Sequence, residues 1–160
     1  MDVPKRKPNR LPNFDYSTPG AYFITICTKD RRNLFWVDVG ASIARPQLTT
    51  WGKITANRIC DIPKHYPAIS VDHYVVMPNH IHLLLQINTD TDGRPMVAPT
   101  ISTVIQQLKG IMTKRIGQSI WQKLYHDHVV RGEKDYLKIW EYIENNPTKW
   151  EEDCLYENCE

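Results

Sequence analysis

Ile69–Met77 reads ISVDHYVVM and His80–Ile87 reads HIHLLLQI, with only Pro78-Asn79 between them. Both runs are rich in β-branched and apolar residues, so they predict two strands joined by a tight break. Side chains alternate along a strand with period two, which sends His80 and His82 to one face and Ile81 and Leu83 to the other. Two imidazoles side by side on a strand face form half of a metal site. An H-x-H in isolation is more often a pair of satisfied surface histidines. The flanking Met77-Pro78-Asn79 and the triplet Leu83-Leu84-Leu85 make this one more specific.

Other elements fall into place around these two strands. Ala21–Thr28 (AYFITICT) has strand composition. Residues 29–47 read as a loop or a short hairpin. Thr49–Ile62 places Trp51, Ile54, Ile59 and Ile62 on one arc of a helix; Gly52 weakens that helix, and Pro63 ends it. Thr100–Gly117 aligns Ile101, Val104, Ile105, Leu108, Ile111 and Met112 on one face, with Gly117 as a stop. Leu124–Val130 predicts a fourth strand. Lys134–Asn146 predicts a last helix with its stripe at Tyr136, Ile139, Trp140 and Ile143, closed by Pro147. Strand, helix, strand, strand, helix, strand, helix is the order of an α+β, ferredoxin-like antiparallel sheet with helices on one side, followed by one further C-terminal helix. The expected division is a basic extended arm over 1–20, one domain over 21–150 and an acidic tail over 151–160.

Bulk properties fit that division. The chain has 160 residues, 41% apolar and 24% charged, enough to build one real core. No apolar run approaches bilayer-spanning length, and the first residues, MDVPKRKPNRLPNF, contain no apolar segment of the secretory type. Cytoplasmic residence is the default expectation. The formal net charge is only +2, but Lys5, Arg6, Lys7 and Arg10 crowd the first ten residues, and Lys114 and Arg115 lie close together later. Such clusters follow phosphates or simply solvate a surface, and charge alone favours the second. The four cysteines, Cys27, Cys60, Cys154 and Cys159, form no CxxC pair and read as ordinary thiols.

Tyr142 lies off the apolar stripe of the last helix, and Asn146 stands one turn later at i+4 on the same side. With eight tyrosines in the chain, that spacing raises Tyr142 only modestly. His65 and His73 read as ordinary histidines. His126 and His128, again two apart, flank a site or touch a ligand.

Four stretches taken together are specific: Arg10–Tyr22 (RLPNFDYSTPGAY), Tyr74–Leu85 (YVVMPNHIHLLL), Ile120–Arg131 (IWQKLYHDHVVR) and Asp135–Pro147 (DYLKIWEYIENNP). They resemble the REP-associated tyrosine transposases, a branch of the single-tyrosine HUH transposases. The resemblance implies a ferredoxin-like fold acting on single-stranded DNA near a hairpin. It implies His80 and His82 as metal ligands, Asn146 as a third ligand, and Tyr142 as the nucleophile that becomes joined to a 5′ phosphate. Two imidazoles and an amide suit Mg²⁺ or Mn²⁺, and the ligand types are also compatible with Zn²⁺. Lys5, Arg6, Lys7, Arg10, Lys114, Arg115, His126, His128 and Arg131 are the candidate DNA contacts, and a homodimer stays open. Three other readings compete. A histidine-triad hydrolase needs a third histidine where Leu84 stands. A structural metalloprotein calls for four closed ligands. A non-catalytic hairpin-binding module needs neither the histidines nor Tyr142, and is the main alternative.

Overall fold

The computed structural model describes residues 10–37, 47–89 and 99–152. Four strands, β1 (Gly20–Cys27), β2 (Ile69–Val76), β3 (His80–Ile87) and β4 (His126–Val129), form one sheet in the order β2-β3-β1-β4. Every neighbouring pair is antiparallel. This is the expected α+β arrangement, with β3 flanked by strands on both sides.

Consecutive buried leucines explain where the helices go. Along β3, Leu83, Leu84 and Leu85 are all fully buried, which requires a cover on both faces of the sheet. On one face, Ile81, Leu83, Leu85 and Ile87 join Tyr22, Ile24 and Ile26 of β1 in the main core. That core is closed by α1 (Thr50–Cys60), the one-turn helix α2 (Ile62–His65) and α3 (Ile101–Ile116). On the other face, Leu84 and Ala21 pack against Ile139 and Ile143 of α4 (Gly132–Asn145). Full burial of one such leucine contributes about 1.5–3 kcal/mol, so the small second core still fixes α4 on the sheet. No helix among the described residues is long and apolar enough to cross a membrane.

Local chemistry sets the helix ends. Thr49 caps α1 by accepting from the Gly52 N–H at 3.1 Å, and Thr100 caps α3 by accepting from Thr103 N–H at 3.3 Å. Gly117 stops α3 in the left-handed region at φ 85°, as its sequence position predicts. Gly52 does not weaken α1: a Cβ there would stand 2.4 Å from the Phe35 carbonyl oxygen, so the close approach demands glycine. Pro63 closes α1 only indirectly, since it sits in the first turn of α2, where its missing N–H costs nothing. Pro147 likewise does not end the chain's helical course. Asn146 keeps regular helical angles (φ −59°, ψ −42°), and a 3-10 segment runs on over Asn146–Glu152.

The predicted stripe of α4 needs one correction. Ile139 and Ile143 are buried, but Trp140 is 39% exposed. Trp140 leans over the edge strand β2 and lies against the His73 ring, with centroids 4.5 Å apart. Asn146, not Trp140, continues the buried stripe.

Candidate active site

His82 faces Thr25 across the β1/β3 register, and His80 faces Cys27. Both imidazoles point to the α4 face, and both are buried, at 0% and 3% exposure. Their Nε2 atoms stand 3.0 Å apart. Each outer nitrogen is held. His80 Nδ1 lies 2.8 Å from Asn79 Oδ1, and His82 Nδ1 lies 2.8 Å from Thr25 Oγ1. Asn79 Nδ2 donates to the Arg31 carbonyl at 3.4 Å, which orients the amide with its oxygen toward His80. That oxygen only accepts, so His80 Nδ1 carries the hydrogen and its Nε2 presents a lone pair.

The state of His82 turns on one hydroxyl. If Thr25 donates to Nδ1, His82 Nε2–H donates to His80 Nε2 and the pair is self-satisfied. If Thr25 accepts, two lone pairs converge at 3.0 Å, an arrangement that calls for a cation between them. Burial, with the neighbouring His80 second, pushes the His82 pKa well below its usual 6.5, so this imidazole stays neutral, as a ligand must. Two donors about 2.1 Å from an octahedral ion are about 3.0 Å apart, so the pair fits one divalent ion. Among the described residues no three His, Cys, Asp or Glu side chains cluster as a metal site; any further protein ligand must be of another type.

Tyr142 meets this pair from α4. Its ring centroid is 5.3 Å from that of His82 and 6.1 Å from Phe23, edge to face. The side chain is 45% exposed, so the phenol belongs to both the site and the solvent. Asn146 follows one turn later and is buried. The 3-10 segment then carries Trp150 over His80 (centroids 5.8 Å) and onto Trp36 (6.2 Å). Phe23, stacked on His82 with centroids 5.2 Å apart, and Trp150 thus wall the histidine pair with aromatic surface.

The other tyrosines are occupied elsewhere. The Tyr136 hydroxyl donates to Asp72 Oδ2 at 2.7 Å, and burial together with that carboxylate raises its pKa to about 12. Tyr125 packs in the main core on the opposite face of the sheet, and its hydroxyl accepts from Arg10 at 2.6 Å.

The predicted DNA contacts spread over several surfaces. Lys5, Arg6 and Lys7 lie outside the described residues. The Arg10 guanidinium is committed to Ser102 Oγ (2.8 Å) and Tyr125 and lies over the Tyr16 ring, which staples the end of the arm to the domain. Lys114 and Arg115 are in the last turn of α3, a helix on the face opposite the histidine pair. His126 stands opposite Thr25, and His128 opposite Phe23, so both look to the site face. His128 pairs with Asp135 at 2.8 Å, the carboxylate that also accepts the Arg131 N–H near the start of α4.

An uncharacterised protein of Haemophilus influenzae is 32% identical to this chain over 170 aligned positions, covering 94% of the chain and 93% of that relative. The REP-associated tyrosine transposase of Escherichia coli K12 is 25% identical, covering 84% of the chain and 70% of that protein. The solved structure of a REP-associated tyrosine transposase bound to a REP hairpin superimposes with a TM-score of 0.63 at 23% identity. It covers 88% of this chain and 72% of that one. No protein-family model matches. The chain is thus similar to REP-associated tyrosine transposases over most of its length.

Four residues of the candidate site carried no sequence signal of their role: Thr25, Asn79, Phe23 and Trp150. Asn79 had only its place beside His80. Thr25 had not even that, because only the strand register places it against His82. Thr25→Val keeps the shape and removes the oxygen that orients His82. For an ion held by the pair, as the resemblance implies, the expected effect is a 10- to 100-fold weaker affinity for Mn²⁺, read by calorimetric titration, with the circular dichroism spectrum unchanged. Equal Mn²⁺ affinity in the valine variant would remove Thr25 from the site.

Proposed function

We propose that this chain is a divalent-metal-dependent single-stranded DNA endonuclease and transposase that cuts beside a hairpin through a 5′-phosphotyrosine intermediate. The observation that carries the reading is the meeting of two converging imidazole Nε2 atoms, 3.0 Å apart, with the half-exposed Tyr142 ring 5.3 Å from His82. Similarity to REP-associated tyrosine transposases supports it, and the hairpin bound by the similar transposase supports the choice of DNA.

His80, His82 and Asn146 would hold Mg²⁺ or Mn²⁺. Such an ion, when bound, supplies charge neutralisation at the scissile phosphate. The chain's own groups do the rest. Thr25 and Asn79 hold the imidazoles in place. Phe23 and His82 fix the plane of the Tyr142 ring. The Tyr142 phenol gives up its proton to solvent and its oxygen bonds to phosphorus, while the bond from phosphorus to the 3′ oxygen breaks and that oxygen takes up a proton from solvent. The strand ends are then a 5′-phosphotyrosine and a free 3′ hydroxyl. Attack of a 3′ hydroxyl on that linkage returns the phenol and rejoins DNA with no external energy source.

Formation of a covalent adduct separates this reading from a hairpin-binding module. Incubation with a 5′-extended hairpin oligonucleotide and Mn²⁺, followed by a denaturing protein gel, should yield a band shifted by one covalently attached strand. Binding with no shifted band would leave the binding module as the answer.

A further inference from the structure

We propose that the bulged edge of β2 clamps α4 and so aims Tyr142, making Asp72 and His73 positioning residues of the reaction; this rests on reading Tyr142 as the nucleophile. The β2/β3 register breaks between Val71 and His73. A bulge of this kind re-aims side chains that strict alternation would send to opposite faces. Here both consecutive residues reach α4. Asp72 accepts the Tyr136 hydroxyl at 2.7 Å. His73 Nε2 stands 2.8 Å from Glu144 Oε2, and its ring lies against Trp140.

Tyr136, Trp140 and Glu144 are spaced i, i+4 and i+8, so the edge strand grips one stripe along the length of α4. At 100° per residue, that stripe runs about 50–130° to one side of the buried line through Ile139, Ile143 and Asn146. Tyr142 lies about 70° to the other side. The helix therefore rests on a narrow apolar keel, with the clamp on one flank and the nucleophile on the other. The second core under it is small, with Ala21, Leu84, Ile139 and Ile143 as its buried members, and gives little resistance to roll. A roll of about 10° displaces a group about 6 Å from the axis by about 1 Å, and misplacement on that scale costs about 10²-fold in rate. The His73–Glu144 pair is mostly open to solvent on the Glu144 side, so the clamp contributes little stability; what it fixes is the helix's rotation.

The test pairs a rate with a reading of position that needs no catalysis. The Tyr142 resonance in 3-fluorotyrosine-labelled protein, assigned by its loss in Tyr142→Phe, reports ring currents from Phe23 and His82. In an Asp72→Ala/His73→Ala variant that resonance should move or split. Single-turnover cleavage at saturating hairpin should fall 10- to 100-fold, with hairpin affinity within about threefold. Asp72→Asn keeps an acceptor for the Tyr136 hydroxyl and should restore both readings when His73 is intact. An unmoved resonance in the double variant overturns the clamp, whatever the rate does. A moved resonance with an unchanged cleavage rate also overturns the positioning role. A moved resonance in a protein whose wild type forms no covalent adduct keeps the clamp and removes the function proposed for Tyr142.

Discussion

His82→Ala is expected to lower strand cleavage on the order of 10³-fold or more, while hairpin affinity stays within about threefold. The division follows from where the imidazole sits. His82 is 3% exposed, so it contributes little surface to a DNA duplex, whereas affinity for nucleic acid comes mostly from phosphate contacts by surface groups. What the substitution removes is one of two converging donors, and charge stabilisation worth several kcal/mol goes with it; about 4 kcal/mol is a factor of about 10³. Alanine also leaves a buried gap beside Thr25, so His82→Gln serves as a second variant that fills the space. His65→Ala, an exposed change on α2, is the control. Gel-shift affinity and single-turnover cleavage of the same hairpin, measured on all four proteins, check the result. Parallel loss of binding and cleavage in His82→Gln would return the histidines to a structural role.

Tyr142→Phe should abolish the covalent adduct and leave folding, Mn²⁺ binding and hairpin binding in place. The change removes one oxygen from a side chain already 45% exposed, so its cost in stability is expected to stay within about 0.5 kcal/mol. The ring packing against Phe23 and His82 is retained. Tyr136→Phe and Tyr125→Phe should keep the adduct. One phenol is committed to Asp72, and the other lies in the core on the far side of the sheet. An adduct band surviving in Tyr142→Phe would place the nucleophile elsewhere.

Period two and period 3.6 made most of this architecture legible. The histidine pair was readable from alternation alone, because His80 and His82 could only share a face of any strand containing both. The two-sided cover needed the structure, because the burial of Leu83, Leu84 and Leu85 together is what requires a layer on each face. Trp140 misled the reading of α4, since a large aromatic looks like core on a helical wheel, yet it packs over an edge strand where more than a third of it stays wet. Correcting that stripe moves its centre toward Asn146, and Tyr142 becomes a neighbour of the buried line instead of a residue well away from it. Thr25 and Trp150 were beyond the sequence for a different reason. Each meets its histidine through tertiary geometry, one by cross-strand register and one by the continuation of α4 past Pro147, and no local period encodes either. Gly52 looked like a flaw for the same reason, because the Phe35 carbonyl that requires it lies 17 positions away in sequence.

The central claim is that the histidine pair and Tyr142 form one cleavage site. The most direct measurement is the chemical location of the DNA on the protein. The adduct formed with a 5′-extended hairpin and Mn²⁺ is digested with nuclease and protease, and the modified peptide is sequenced by mass spectrometry. The expected product is a single peptide carrying a 5′-linked nucleotide remnant on Tyr142. Recovery of the remnant on any other residue, or of intact cleaved DNA with no modified peptide, would contradict the account.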